Sequence, residues 1–401
     1  MAQLAECENF NANSDMSELL NTELNIDGRY HPNLGGISRG GMANHYPMTI
    51  LSMHELGASD EQLRSFKHQW PRHRALIDET LGLIDKRKIT DKNWHLVLGQ
   101  SQKLKEFRRV FLEQFFERNT ADVITDALDH MRDGLPMGLF HPLIRLSFAA
   151  IHGDKGLLAD ALAYMAIRYH DIYKAEAIQN MTTVEYAVFR NAVVKQAKPS
   201  DITSGLALQN WSMIRALNQN NQLSGRLPSL TYGGSIHVCE QLCSSPFVHE
   251  LSLNSGFNIN QGKLQNRIAQ ICKAAAQLYL SEPSLSTLHA VTASHALADL
   301  TLRFVKSDQS GAVFTRLWRH YWVWLTSLFI EKGCTLSSIE PSDASQERVS
   351  ERVSKRDWPQ LSVTALRTNE VHVIKMVYSC KWLFENFDAD PLYQQAAEAT
   401  L

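Results

Sequence analysis

Apolar residues return every three or four positions along most of this 401-residue chain, a spacing that suits one face of an α-helix. The stretches "NHYPMTILSMHELGAS", "ADVITDALDHMRDG", "ADALAYMAIRYHDIYKAEAIQNM" and "KLQNRIAQICKAAAQLYL" all show it. The strict alternation of a half-buried strand is hard to find, so the expected fold class is all-α. The breaks are short: "GRYHPNLGGISRGG" before the first clear helix, "LSGRLPSLTYGGS" in the middle and "PSDASQERVSERVSKRDWP" near the end. None is long or low enough in complexity to divide the chain, and no repeat of 20–50 residues suggests a solenoid. The expected organisation is a polar N-terminal segment over 1–30, then one large helical domain over 31–401 built from packed sub-bundles.

Charge narrows the partners. Charged residues make up 20% of the chain and the formal net charge is −2, so no global basic surface invites nucleic acid or an anionic membrane. The apolar run "YWVWLTSLFI" falls short of the roughly 20 residues that span a bilayer. The polar, acidic start has no signal-peptide pattern, which leads to the expectation of a cytoplasmic protein. The cysteines are scattered through a long chain rather than set in a framework and are read as reduced thiols. A small, neutral molecule is the partner these features fit.

Nucleotide signatures are absent: there is neither a G-x-G-x-x-G after a strand nor a phosphate-cradling G-x-x-x-x-G-K-[ST]. The glycines of "NLGGISRGGMANH" read as a loop leading into a helix. "HVCEQLC" places Cys239 and Cys243 near His237 but lacks the second half of a zinc motif.

Histidine is the unusual feature, with sixteen in the chain, so the question is which of them interrupt helix faces that ought to be apolar. His45 opens one helix, with Asn44 as a plausible N-cap and Pro47 in the first turn. His141 opens another, with Pro142 directly after it. A helix N-terminus disfavours imidazolium, which would keep both rings in the neutral form that metals bind. In "LSTLHAVTASHALADL", His289 and His295 lie six residues apart, about 120° around the helix axis, and cannot easily reach one point. His295 shares a face with Leu288 and Val291, and Asp299 follows one turn later as a possible outer carboxylate. His295 is therefore the expected ligand, with His289 in reserve. His372 and Lys375 share a face at i and i+3 within "TNEVHVIKMVYSC". A lysine on an apolar face is costly unless its stem reaches solvent or its charge is removed.

If His45, His141, His295 and His372 converge, four helices build an imidazole-rich centre suited to iron, zinc, copper or nickel. Four neutral imidazoles leave a divalent ion's charge uncompensated. Lys375 supplies the missing anion if its neutral amine captures carbon dioxide as a carbamate.

The run "NHYPMTILSMHELGAS", "LFHPLIRLSFA", "LHAVTASHALADL" and "EVHVIK", in that order over about residues 40–380, resembles the questin oxidase-like family. Fungal members open the quinone ring of anthraquinone-type polyketides, and the family has been described both as NADPH-linked Baeyer–Villiger-type oxidases and as non-haem iron dioxygenases. The iron reading implies Fe(II) with O2 as co-substrate, His45, His141, His295 and His372 as ligands, Lys375 as a carboxylated lysine, and His372 with Lys375 as the catalytic anchor. The expected substrate is a small aromatic polyketide or quinone-like molecule. The alternatives are an NADPH-dependent Baeyer–Villiger-type oxidase without a metal and a non-catalytic helical binding protein. The aromatic stretch "FTRLWRHYWVWLTSLF", with Tyr46 and Tyr164, either lines a flat pocket or, the commoner use, packs the core.

Overall fold

The helix expected from "LSTLHAVTASHALADL" organises the structure, a computed structural model that describes residues 18–36, 42–70, 74–77, 89–172, 211, 214–215, 264–333 and 356–401. Among these residues there are thirteen α-helices and no strand; two isolated antiparallel bridges, Tyr30 with Leu76 and Asn33 with Ala43, are the nearest approach to a sheet. In chain order the helices are α1 (Glu18–Asp27), α2 (Tyr46–Glu55), α3 (Asp60–Gln69), α4 (Leu104–Glu117), α5 (Thr120–Met131), α6 (His141–His152), α7 (Lys155–Arg168), α8 (Leu264–Ser281), α9 (Leu285–Phe304), α10 (Asp308–Glu331), α11 (Trp358–Thr368), α12 (Val371–Asn386) and α13 (Pro391–Thr400). The cluster of His237, Cys239 and Cys243, together with nearly all of the central and C-terminal breaks, lies outside the described residues.

Helix α9 starts cleanly because Ser284 and Thr287 form a capping box. It is buried on almost every side, its buried hydroxyls, histidines and Asp299 included, and its alanines Ala290, Ala293, Ala296 and Ala298 let neighbours approach closely. Helices α6, α8, α10 and α12 pack against it. Within this arrangement α2, α6, α9 and α12 form a closed ring of neighbours: α2 packs on α6, α6 on α9, α9 on α12, and α12 back on α2.

Helix α10 carries the aromatic run into the core. Trp318, Tyr321, Trp322 and Trp324 are buried; the Trp318 indole donates to Thr301 Oγ1 at 3.0 Å and the Tyr321 hydroxyl donates to the Ala290 carbonyl. These rings pack helices together, as do Tyr46 and Tyr164, whose hydroxyls donate to Glu23 and Asn33. At the other end of the chain, α1 falls in the stretch read from sequence as a polar N-terminal segment. It packs on α2 and buries Leu20, Glu23, Leu24 and Asp27. No helix among the described residues is long and apolar enough to cross a membrane.

Candidate metal centre

The ring of α2, α6, α9 and α12 brings four helix N-terminal ends together, and each contributes a histidine. His45 directly precedes α2, where Pro47 suits the first turn. The N-cap position expected for Asn44 falls to His45, which makes no side-chain cap bond; Asn44 holds the helix start from one residue earlier, its Oδ1 accepting from the Tyr46 amide at 3.2 Å. His141 is the first residue of α6, set by Phe140 in the left-handed region at φ 60°. His372 is the second residue of α12, and the Glu370 carboxylate caps that helix by accepting from the His372 and Val373 amides. His289 is the fifth residue of α9.

One ring nitrogen from each of His45, His141 and His372 lies within 4.8 Å of the other two. The His45 ring meets those of His141 and His372 edge-on, with centroids 4.6 and 4.7 Å apart. His289 adjoins this group: its Nε2 is 3.1 Å from His141 Nε2. Lys375, one turn past His372 and 1% exposed, ends with Nζ 2.7 Å from His45 Nδ1.

The hydrogen bonds of these rings decide their tautomers. His141 Nδ1 faces the Gly138 carbonyl and His289 Nδ1 faces the Leu285 carbonyl at 2.7 Å. A carbonyl only accepts, so both Nδ1 atoms carry the proton and, in neutral rings, both Nε2 atoms are bare lone pairs. Two bare lone pairs then face each other at 3.1 Å. A proton between them would relieve the repulsion, but burial works against it. Desolvation by burial is the largest cause that lowers His141 to about 3, with a smaller contribution from the nearby Lys375. Desolvation and the neighbouring His141 and Lys375 put His289 well below its usual range. His372 repeats the pattern with a carboxylate: its Nδ1 is 3.4 Å from Glu370 Oε1, and that contact is the leading cause holding the Glu370 carboxyl down at about 2.

A metal ion fits this donor set. Nitrogen ligands at right angles on one first-row ion stand about 3 Å apart when metal–nitrogen bonds are near ~2.1 Å. Metal-binding histidines ordinarily give their second ring N–H to a carbonyl or carboxylate, which is the arrangement of His141, His289 and His372. Imidazole suits iron, zinc, copper and nickel, so the donors alone do not choose among them. Lys375 offers a route to the missing negative charge. Burial pulls its ammonium down to about 7, against a smaller upward pull from Glu370, so a neutral amine is accessible near neutral pH. The partial positive charge of helix N-termini keeps nearby imidazoles neutral and favours an anion beside them.

Of the five residues singled out in the sequence, the structure gathers His45, His141, His372 and Lys375. It does not bring His295 to them. Six residues along α9 turn that side chain about 120° and move it about 9 Å along the axis from His289. There its Nδ1 bonds the Ser379 hydroxyl at 3.0 Å, and its ring packs among Phe148, Tyr378 and Trp382. The carboxylate proposed to support it is engaged elsewhere: Asp299 accepts from Ser147 Oγ and Arg303 Nε. His289, the reserve candidate, is the one that lies beside His141. Its sequence signal is its position near a helix start, a property shared with His45, His141 and His372. Glu370 was overlooked altogether, although an acidic residue just ahead of a helix that opens on His372 is a capping signal.

A family model described as Questin oxidase-like matches residues 42–380, a span that holds every residue of this cluster. The chain belongs to the questin oxidase-like family. Membership implies an oxidoreductase with a small-molecule substrate. No curated protein matches the chain.

Proposed function

We propose that this questin oxidase-like chain is a non-haem iron-dependent oxygenase that oxidises an aromatic polyketide or quinone-like substrate. In this reading His45, His141, His289 and His372 hold iron, with Lys375 in its carboxylated form. The observation that carries it is the pair of bare Nε2 atoms of His141 and His289, 3.1 Å apart in a buried setting that disfavours a bridging proton. A shared cation removes that conflict. An NADPH-linked reaction without a metal leaves it unexplained, and so does a purely structural role.

Iron(II) supplies the one-electron chemistry that lets O2 react with an electron-rich aromatic carbon. The chain supplies the setting. The Gly138 and Leu285 carbonyls and the Glu370 carboxylate fix three rings with Nε2 available. His45, His141, His289 and Lys375 are buried, which excludes bulk water. His372 is the member with solvent contact, its side chain 25% exposed. Carboxylation of Lys375 forms a bond between Nζ and the carbon of carbon dioxide. One C–O π pair moves onto oxygen and a proton leaves the nitrogen, giving a carbamate with one negative charge. That charge offsets part of the ion's, which four neutral imidazoles cannot do.

The test is iron content after loading the purified protein anaerobically with Fe(II) in bicarbonate, followed by oxygen uptake with an anthraquinone-type substrate. The proposal expects close to one iron per chain and substrate-dependent oxygen uptake. Protein that retains no iron after desalting contradicts it.

A further inference from the structure

Helix α1 lies ahead of the segment matched by the family model, yet it grips the residues on both sides of His45. Glu23 and Asp27 stand one turn apart on it, 4% and 0% exposed. The Tyr46 hydroxyl donates to Glu23 Oε2 at 2.8 Å, and the Asn44 amide donates to Asp27 Oδ1 at 2.8 Å. His45 is the residue between them. Asn44 is held from its other side as well, because its Oδ1 accepts from the Tyr46 amide. The same Asp27 carboxylate reaches α6: Arg145, one turn after His141, donates from Nη2 to Asp27 Oδ2 at 3.1 Å. Arg74 supplies a third donor, from Nη1 to Oδ1 at 3.1 Å. One buried carboxylate thus ties the segment carrying His45 to the helix carrying His141, and those two rings meet with centroids 4.6 Å apart.

Stability alone is a poor reason for such a network. Removing two arginines and a carboxylate from water costs so much that well-packed apolar residues commonly do as well or better. What apolar packing lacks is direction. Hydrogen bonds to a charged group fix both distance and angle, and they are the stronger kind. We propose that Asp27 is a positioning residue that sets the separation of His45 and His141, with α1 as the element that carries it. The inference rests on the metal reading above and adds to it a helix that the family match does not include.

The experiment titrates metal-free protein with Co(II), recording affinity, the visible absorption of the bound ion, and the thermal midpoint without metal. Asp27→Asn keeps the shape and removes the charge. Asn44→Ser keeps an acceptor for the Tyr46 amide and both arginine pairs of Asp27, and removes only the link across to Asp27. The expected result is Co(II) binding weakened about tenfold in Asp27→Asn, the usual scale for losing an outer-shell partner, with an altered absorption band. Asn44→Ser shifts both in the same direction by less. Should Asp27→Asn fail to fold, Asn44→Ser decides. If wild type binds Co(II) and the folded variants bind it with the same affinity and spectrum, while only the thermal midpoint falls, the inference is overturned and the metal reading stands. If wild type binds neither Co(II) nor Fe(II), the metal reading falls and takes the inference with it.

Discussion

His289 and His295 sit on the same helix, both completely buried and both held neutral by burial, yet they do opposite things. His289 gives its Nδ1 proton to a carbonyl of its own helix and turns Nε2 onto another ring's Nε2. His295 bonds a serine hydroxyl and lies among three aromatic rings. Burial and a depressed pKa therefore do not distinguish a candidate ligand from a packed core histidine. What distinguishes them is what the second ring nitrogen faces.

Replacement of the two residues is the most severe way to break this comparison. In His289→Ala, iron retained after desalting falls by about tenfold or more, because a buried member of the donor set is lost. In His295→Asn, whose amide can still reach Ser379, iron content is unchanged. Its cost is stability, about 1–3 kcal/mol from the lost ring volume, read by denaturant unfolding. Equal iron loss in the two variants would erase the distinction drawn here.

Lys375 gives the next largest effect. Lys375→Ala lowers iron retention by up to about tenfold, and a short carboxylate such as acetate or propionate, added at millimolar concentration, restores part of it by standing in for the carbamate. Loss without rescue would make the lysine a packing residue and assign the missing anion elsewhere. Iron content measured with and without bicarbonate sharpens the same point.

The third effect is on acid stability and belongs to the His295 side. Burial, with a smaller push from Arg303, lowers His295 to about 3, against an ordinary histidine value near 6.5. The unfolded chain takes up a proton below that ordinary value and the folded chain does not. The stabilising contribution is therefore complete above pH 6.5 and is lost progressively as pH falls toward 3. At pH 4.5 the loss is about 3 kcal/mol for this one group, so metal-free His295→Asn loses correspondingly less stability between pH 7 and 4.5 than wild type. An identical decline in both would show that other buried histidines dominate.

Much of this was legible in the residues. Period-3.6 patterning identified the all-α class because nearly every core helix keeps an apolar face. His45 and His141 were recognisable because each opens a helix beside Pro47 or Pro142, and His372 because it shares an apolar face with Lys375 three residues on, where local spacing carries the signal. The choice between His289 and His295 failed for a physical reason. Spacing within α9 shows that the two point in different directions but not which direction faces α6. The helix-start argument used for His45 and His141 applies equally to His289, five residues into α9, and would have selected it. The role of α1 was hidden for a similar reason. Glu23 and Asp27 look like ordinary solvated charges until Tyr46 is placed against the first and Arg145, more than a hundred residues away, against the second.

The most direct test of the centre is X-ray absorption at the iron edge of Fe(II)-loaded protein prepared in bicarbonate. The account predicts a shell of nitrogen and oxygen donors near ~2.1 Å with the outer-shell scattering of several imidazoles, unchanged in His295→Asn and reduced in His289→Ala. An oxygen-only shell without imidazole scattering, or a spectrum indifferent to His289, would contradict it.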